Sequence, residues 1–204
     1  MAVLVDDDRA VREALGDLLN SVGVDTLSFE SSSEFLKAEL PDRPGCLVLD
    51  VRMPGLSGLD LQRHLADHGI ATPIVFLTGH GDIAMSVQAM KAGAVDFLTK
   101  PVRDQSFLDA VSRAIASDVT RRMAARETRK NVELYDTLTP RERQVLRSVV
   151  KGQLNKQIAY ELDISEVTVK LHRSGMMRKM HATSSAHLFG VWQSLPENVR
   201  ASVN

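Results

Sequence analysis

Short apolar runs recur along the first half of the chain, each followed by a stretch in which apolar residues return every third or fourth position. Ala2–Val5, Val24–Phe29, Cys46–Asp50, Pro73–Thr78 and Val95–Thr99 are brief and rich in Val, Leu and Ile, so they predict strands. Between them, Ala10–Ser21 carries Val11, Leu15, Leu18 and Leu19 on one side, and Ser33–Leu40, Gly58–His68 and Ala84–Ala92 have similar spacing. Strands alternating with helices of crossover length predict an α/β doubly wound, five-stranded parallel sheet with helices on both faces.

The period changes after residue 103. Residues 104–134 contain no Gly or Pro and read as one helix, with Leu108, Val111, Ile115, Val119 and Met123 forming an apolar stripe. Its first half is expected to pack on the sheet and the remainder, mostly charged from Arg121 to Lys130, to serve as a rigid linker or a short dimer helix. A second helical group follows. Thr139-Pro140-Arg141-Glu142 has the spacing of a capping box with Pro in the first turn, and Gly152 supplies the stop. Asn155–Leu162, the turn Asp163-Ile164 and a basic helix capped by Ser165 predict a helix-turn-helix. The expected organisation is therefore a first domain at 1–118, a helical linker at 119–136 and an all-α domain at 137–204.

Composition sharpens this division. The 204 residues have a net charge of −1, but residues 1–118 carry −8, residues 119–136 carry +2 and residues 137–204 carry +5. A basic final third suits a polyanionic partner. The single cysteine, Cys46, excludes an intrachain disulfide, and neither a targeting segment nor a membrane span is visible, so a cytoplasmic protein is expected.

The candidate chemistry lies at the strand ends. The first strand runs into Asp6-Asp7-Asp8, the third into Asp50 before a Pro-Gly turn, the fourth into Thr78, and the fifth into Lys100-Pro101. In a parallel sheet these ends share one rim, where functional residues of such folds gather. Clustered carboxylates repel unless a cation sits among them, and hard oxygen donors without His or Cys suit Mg²⁺ or Mn²⁺. Asp8 has a second reading as the cap of the following helix.

The runs VLVDDD, LVLDVRMPGLSG, PIVFLTGHGD and KAGAVDFLTKP, in that order, make residues 2–118 resemble the flavodoxin-like receiver domain of bacterial two-component response regulators. The resemblance implies that Asp50 is the phosphoacceptor, that Asp7 ligates the metal with Asp6 assisting, and that the backbone carbonyl of Arg52 completes the ligands. It also implies that Thr78 and Lys100 bind the phosphoryl group, that the Lys100–Pro101 peptide is cis, and that Thr78 and Phe97 form a coupled switch; a static core role for Phe97 stays open. Arg52 and His80 flank the site and are candidates to tune phosphate lifetime.

LTPRERQVL, NKQIAYEL and ISEVTVKLH make residues 137–195 resemble the LuxR-type DNA-binding domain, which implies a fourth helix at about Ala186–Ser194 and so an all-α domain of four helices, and the whole chain resembles a FixJ/NarL-type regulator. On that reading Lys170 reaches base edges, Leu171 offers an apolar contact, Lys156, Thr168 and Arg173 meet phosphates, and Ser174 shares the same surface. Val169, His172, Met176 and Met180 face the core. Asp163 stands where the family usually has Gly, and Ser174-Gly175 replaces a position that is often basic or amide-bearing. The implied partners are a sensor histidine kinase, a duplex DNA operator, a second copy of the chain and RNA polymerase, with no membrane. The competing reading is a metal-dependent phosphohydrolase of the haloacid-dehalogenase type using Asp50. Such enzymes have a carboxylate two residues after the nucleophile, where this chain has Arg52.

Overall fold

The computed structural model describes residues 1–79 and 83–201. It comprises two compact units, Met1–Arg122 and Met123–Asn204. In the first, the elements run β1 (Ala2–Val5), α1 (Arg9–Ser21), β2 (Thr26–Phe29), α2 (Ser32–Lys37), β3 (Cys46–Leu49), α3 (Gly58–Asp67), β4 (Ile74–Thr78), α4 (Ile83–Lys91) and β5 (Asp96–Thr99); α5 (Asp104–Asp136) begins here and extends into the second unit. The five strands are all parallel, in the order β2-β1-β3-β4-β5.

Alternation along the strands divides the core into two layers. Val3, Val5, Leu47, Leu49, Ile74 and Phe76 point to one face and pack with Phe35, Leu61, Leu65 and Ala89 from α2, α3 and α4. Ala2, Leu4, Cys46, Val48, Val75 and Leu77 point to the other and pack with Leu19, Phe107, Ala110, Val111 and Ala114 from α1 and α5. Burial pushes the Cys46 thiol up to about 12, which leaves it an inert packing group.

Most predicted boundaries hold to within one residue, and two larger shifts have local reasons. β2 omits Val24 because the Val24 amide donates to Leu19 O at 3.0 Å and so closes the end of α1. α2 stops at Lys37 because Ala38 is extended, and Leu40 precedes Pro41, which disfavours helix at that position.

A buried carboxylate anchors α5. Asp118, 2% exposed, accepts from the Gly45 amide at 3.0 Å and from Arg121 and Arg122, and Arg122 also reaches Asp42. Burial raises its carboxyl, but hydrogen bonds from Arg121, the Gly45 amide and Arg122 outweigh burial and hold it below the ordinary range.

The second unit contains the end of α5, then α6 (Pro140–Val150), α7 (Asn155–Leu162), α8 (Glu166–Lys179), α9 (Ser185–Ser194) and α10 (Glu197–Ala201). Four helices were expected; α10 is an addition, begun by Pro196, whose carbonyl accepts from Val199 and Arg200 at 3.0 Å. Five residues are too few to show a period. Tyr135, Leu138, Val145, Leu146, Ile158, Val169, Met176, Met180, Leu188 and Leu195 form the core. Thr139 and Glu142 make the predicted capping box. Asp163 is left-handed (φ 52°, ψ 53°), the conformation for which Gly is usual and which Asp tolerates.

Gly175 has a packing reason. Glu142 is 7% exposed and accepts from Lys179 Nζ at 2.6 Å and the Thr139 amide at 2.8 Å. A Cβ on residue 175 would lie 2.6 Å from Glu142 Oε1.

Two outcomes are expected. Gly175→Ala lowers the stability of the second unit despite the better helix propensity of Ala, whereas Gly190→Ala, in α9 with open space around it, raises stability by up to about 1 kcal/mol. Urea titrations read by Trp192, the only tryptophan, check the pair, and equal stabilisation by both would refute the packing argument. Asp118→Asn costs about 1–3 kcal/mol near neutral pH. Because the folded carboxyl is held low, this contribution is present above about pH 4 and disappears as pH falls through the folded value. The gap between wild type and variant in circular-dichroism melts should therefore close in acid; a gap that persists there speaks against the ionic anchor.

Candidate functional site

The register of the sheet assembles the rim. Val5 pairs with Leu49 and Leu49 with Phe76, so Asp6 and Asp50 each leave their strand one residue later, side by side. Thr78 ends β4 opposite Thr99, and Lys100 follows immediately, its amide donating to Thr78 O at 2.8 Å. The Asp50 amide still donates to Val5 O at 2.9 Å, which keeps its backbone in line with the sheet. The Lys100–Pro101 peptide is cis.

Asp6, Asp7 and Asp50 each offer a carboxylate oxygen within 4.8 Å of the others. Lys100 Nζ donates to Asp6 Oδ2 at 2.5 Å and to Asp50 Oδ2 at 3.2 Å. Asp6 and Asp50 are buried at 5% and 8% exposure, while Asp7 is exposed. Asp6 Oδ1 accepts from the Asp8 amide at 3.0 Å, and Asp50 Oδ1 from the Arg52 amide at 3.3 Å. Asp8 faces away from this work: it caps α1, accepting from the Ala10 amide at 2.8 Å.

Charge at the rim is unbalanced. Burial raises the Asp6 carboxyl above its ordinary value, against the lowering pull of Lys100. Burial lowers Lys100, but its hydrogen bond to Asp6 and the charges of Asp6 and Asp50 outweigh this and hold the ammonium above its usual range. Three carboxylates facing one ammonium leave excess negative charge, and the donor set is hard oxygen without His or Cys. That is the chemistry of a small divalent cation such as Mg²⁺.

Two residues not singled out from sequence shape this rim. Arg12 Nη1 donates to Asp6 O at 2.6 Å and holds the loop after β1. Gly58, the first residue of α3, packs so closely that a Cβ there would collide with the Asp50 carbonyl oxygen. Among the predicted residues, Thr78 is 1% exposed, Arg52 is exposed, and Phe97 is half-buried with its ring 5.9 Å from that of Phe76. His80 lies outside the described residues.

Family comparisons agree with this geometry. The family model of the response regulator receiver domain matches residues 2–112, and that of the bacterial regulatory proteins of the luxR family matches residues 136–191. Nodulation protein W of Bradyrhizobium diazoefficiens is 50% identical over 192 residues, 94% of this chain and 85% of that protein. The chain belongs to the two-component response regulators. The response regulator protein TodT of Pseudomonas putida is 48% identical over 96% of this chain and 86% of its own, and the transcriptional regulatory protein FixJ of Rhizobium meliloti 45% over 91% of each. The solved structure of the response regulator StyR superposes with a TM-score of 0.83 at 47% identity, covering 94% of this chain and 98% of that one. FixJ is a transcriptional regulatory protein and TodT and StyR are response regulators, so the comparisons favour a regulator over the phosphohydrolase reading. No helix among the described residues is long and apolar enough to cross a membrane.

The response regulator's second candidate surface is its helix-turn-helix, α7 and α8. The Ser165 side chain caps α8 through the Thr168 amide at 3.1 Å and also meets the Thr168 hydroxyl at 2.8 Å. Val169, Met176 and Met180 are buried and His172 is half-buried, which leaves Val167, Lys170, Leu171 and Ser174 exposed on another side of the helix. Lys156 and Lys170 are exposed, and their side chains have no hydrogen-bond or ion-pair partner among the described residues. Arg173 is half-buried and donates to Asn155 Oδ1 at 3.0 Å and Ser185 Oγ at 2.9 Å, so its guanidinium braces α7 and α9 against α8.

The close approach of Gly58 to Asp50 predicts that Gly58→Ala destabilises the first unit of this response regulator by about 1–3 kcal/mol. Denaturant unfolding followed by circular dichroism measures this, and a variant as stable as wild type would show that the Asp50 backbone has room to move.

Proposed function

We propose that the protein is a cytoplasmic transcription regulator switched by phosphorylation of Asp50. The observation that carries the reading is the meeting of Asp6, Asp7 and Asp50 within 4.8 Å beside Lys100. A sensor histidine kinase presents a phosphohistidine. An Asp50 carboxylate oxygen attacks phosphorus in line, a P–O bond forms as the P–N bond breaks, and the imidazole leaves. Asp7, Asp50 and the Arg52 carbonyl, with Asp6 assisting, would hold Mg²⁺, which would supply positive charge for the phosphoryl oxygens. Lys100 adds its ammonium and Thr78 its hydroxyl.

Thr78 drawn toward the acyl phosphate frees space for Phe97 to turn inward, which alters the surface of α4 and β5 and favours a homodimer. Two output domains then read symmetric half-sites in duplex DNA. Lys170 and Leu171 face the bases, Lys156, Thr168 and Arg173 the phosphates, with Ser174 on the same surface. RNA polymerase is the downstream partner. Residues 1–118 act as receiver, 119–136 as linker and 137–204 as output domain.

Selection of genomic DNA fragments by the phosphorylated full-length protein and by Asp50→Asn tests this reading. The wild type should enrich a shared sequence about tenfold more strongly than the variant. Equal enrichment of the same fragments by both would overturn phosphorylation control.

A further inference from the structure

The exposed side of α8 presents more than basic charge. Val167 is 75% exposed and Leu171 is 71% exposed, although both are apolar residues in a helix whose other side is well packed. They are four residues apart, so their side chains lie next to each other on one face, with Lys170 beside them at three residues from Val167. Single exposed apolar side chains need no explanation. Two adjacent ones flanking an unpaired lysine, in the first turns of the helix that follows the tight turn at Asp163, are a patterned surface.

Its rigidity adds to the case. Ser165 fixes the N-terminus of α8 through both the amide and the hydroxyl of Thr168, and Arg173 ties the middle of the helix to Asn155 and Ser185. Val167 is β-branched and so restricted at χ1, and little ordering remains for it on binding. In the major groove the one apolar feature that a base pair displays is the C5-methyl group of thymine. An amide-bearing or acidic side chain would instead seek hydrogen bonds with adenine or cytosine.

Resting on the DNA-reading role of α8 proposed above, we infer that Val167 and Leu171 form an apolar ridge that reads thymine methyl groups flanking the base contacted by Lys170. Val167 is then a specificity-determining residue, and the operator half-site has thymines at defined places. Burying one methyl is worth about a fourfold change in affinity.

The test removes the methyl from the DNA and its partner from the protein. A binding sequence is first selected from a random duplex library by the phosphorylated full-length protein, and each thymine of the half-site is then replaced singly by deoxyuridine. Wild type should lose about fourfold at one or two positions. Val167→Ala should be insensitive to uracil at one of these, and Leu171→Ala at another, with the remaining positions unaffected. Both side chains are exposed, so neither variant disturbs the core; unchanged Trp192 fluorescence melts verify this. Uracil tolerated at every position by wild type, or penalties that persist undiminished in both variants, would overturn the ridge while leaving DNA binding intact. Failure to enrich any sequence would overturn the DNA-reading role and the ridge with it.

Discussion

Everything at the receiver rim follows from one electrostatic constraint: Asp6 and Asp50 leave neighbouring parallel strands at the same level and are buried there with a single ammonium between them. Two desolvated carboxylates at this separation repel, and Lys100 compensates only one charge. Asp7, next along the chain and exposed, adds a third. The arrangement is tolerated because Lys100 pairs with both buried acids and backbone amides from Asp8 and Arg52 each donate to one of them. What results is a rim with a standing demand for positive charge.

The surroundings hold that constraint in place through close contacts. Gly58 brings the start of α3 onto the Asp50 carbonyl, and Arg12 holds the loop of Asp6 from the other side. At the opposite end of the strands, Asp118 fastens α5 to the turn before β3 through the Gly45 amide. In the second unit, Glu142 combines a capping box, an ion pair with Lys179 and close contact with α8 at Gly175. Asp118 and Glu142 are both buried and hydrogen-bonded, which favours one packing over several.

Much of this was legible in the sequence, and the reason is physical. Strands buried on both faces leave unbroken apolar runs, and their ends are where polar residues reappear, so Asp6, Asp50, Thr78 and Lys100 stood out by position alone. The capping box at Thr139 was equally readable because it is local. The unreadable features are contacts between residues far apart in the chain. Nothing near Asp118 indicates that it will meet Gly45, and nothing near Gly175 points to Glu142. Arg173 stood out as a basic residue of α8, but charge pattern alone does not reveal that Asn155 and Ser185 sit within its reach. α10 escaped because five residues carry no period.

The claim on which the account depends is that this excess of carboxylate makes Asp50 a metal-assisted phosphoacceptor. The most direct measurement is to incubate the full-length protein with a small phosphoryl donor, with and without Mg²⁺, trap acyl phosphate by borohydride reduction and locate it by peptide mass spectrometry. The account predicts modification at Asp50 alone and only when Mg²⁺ is present. Label on another residue, or on Asp50 to the same extent without the metal, would contradict it.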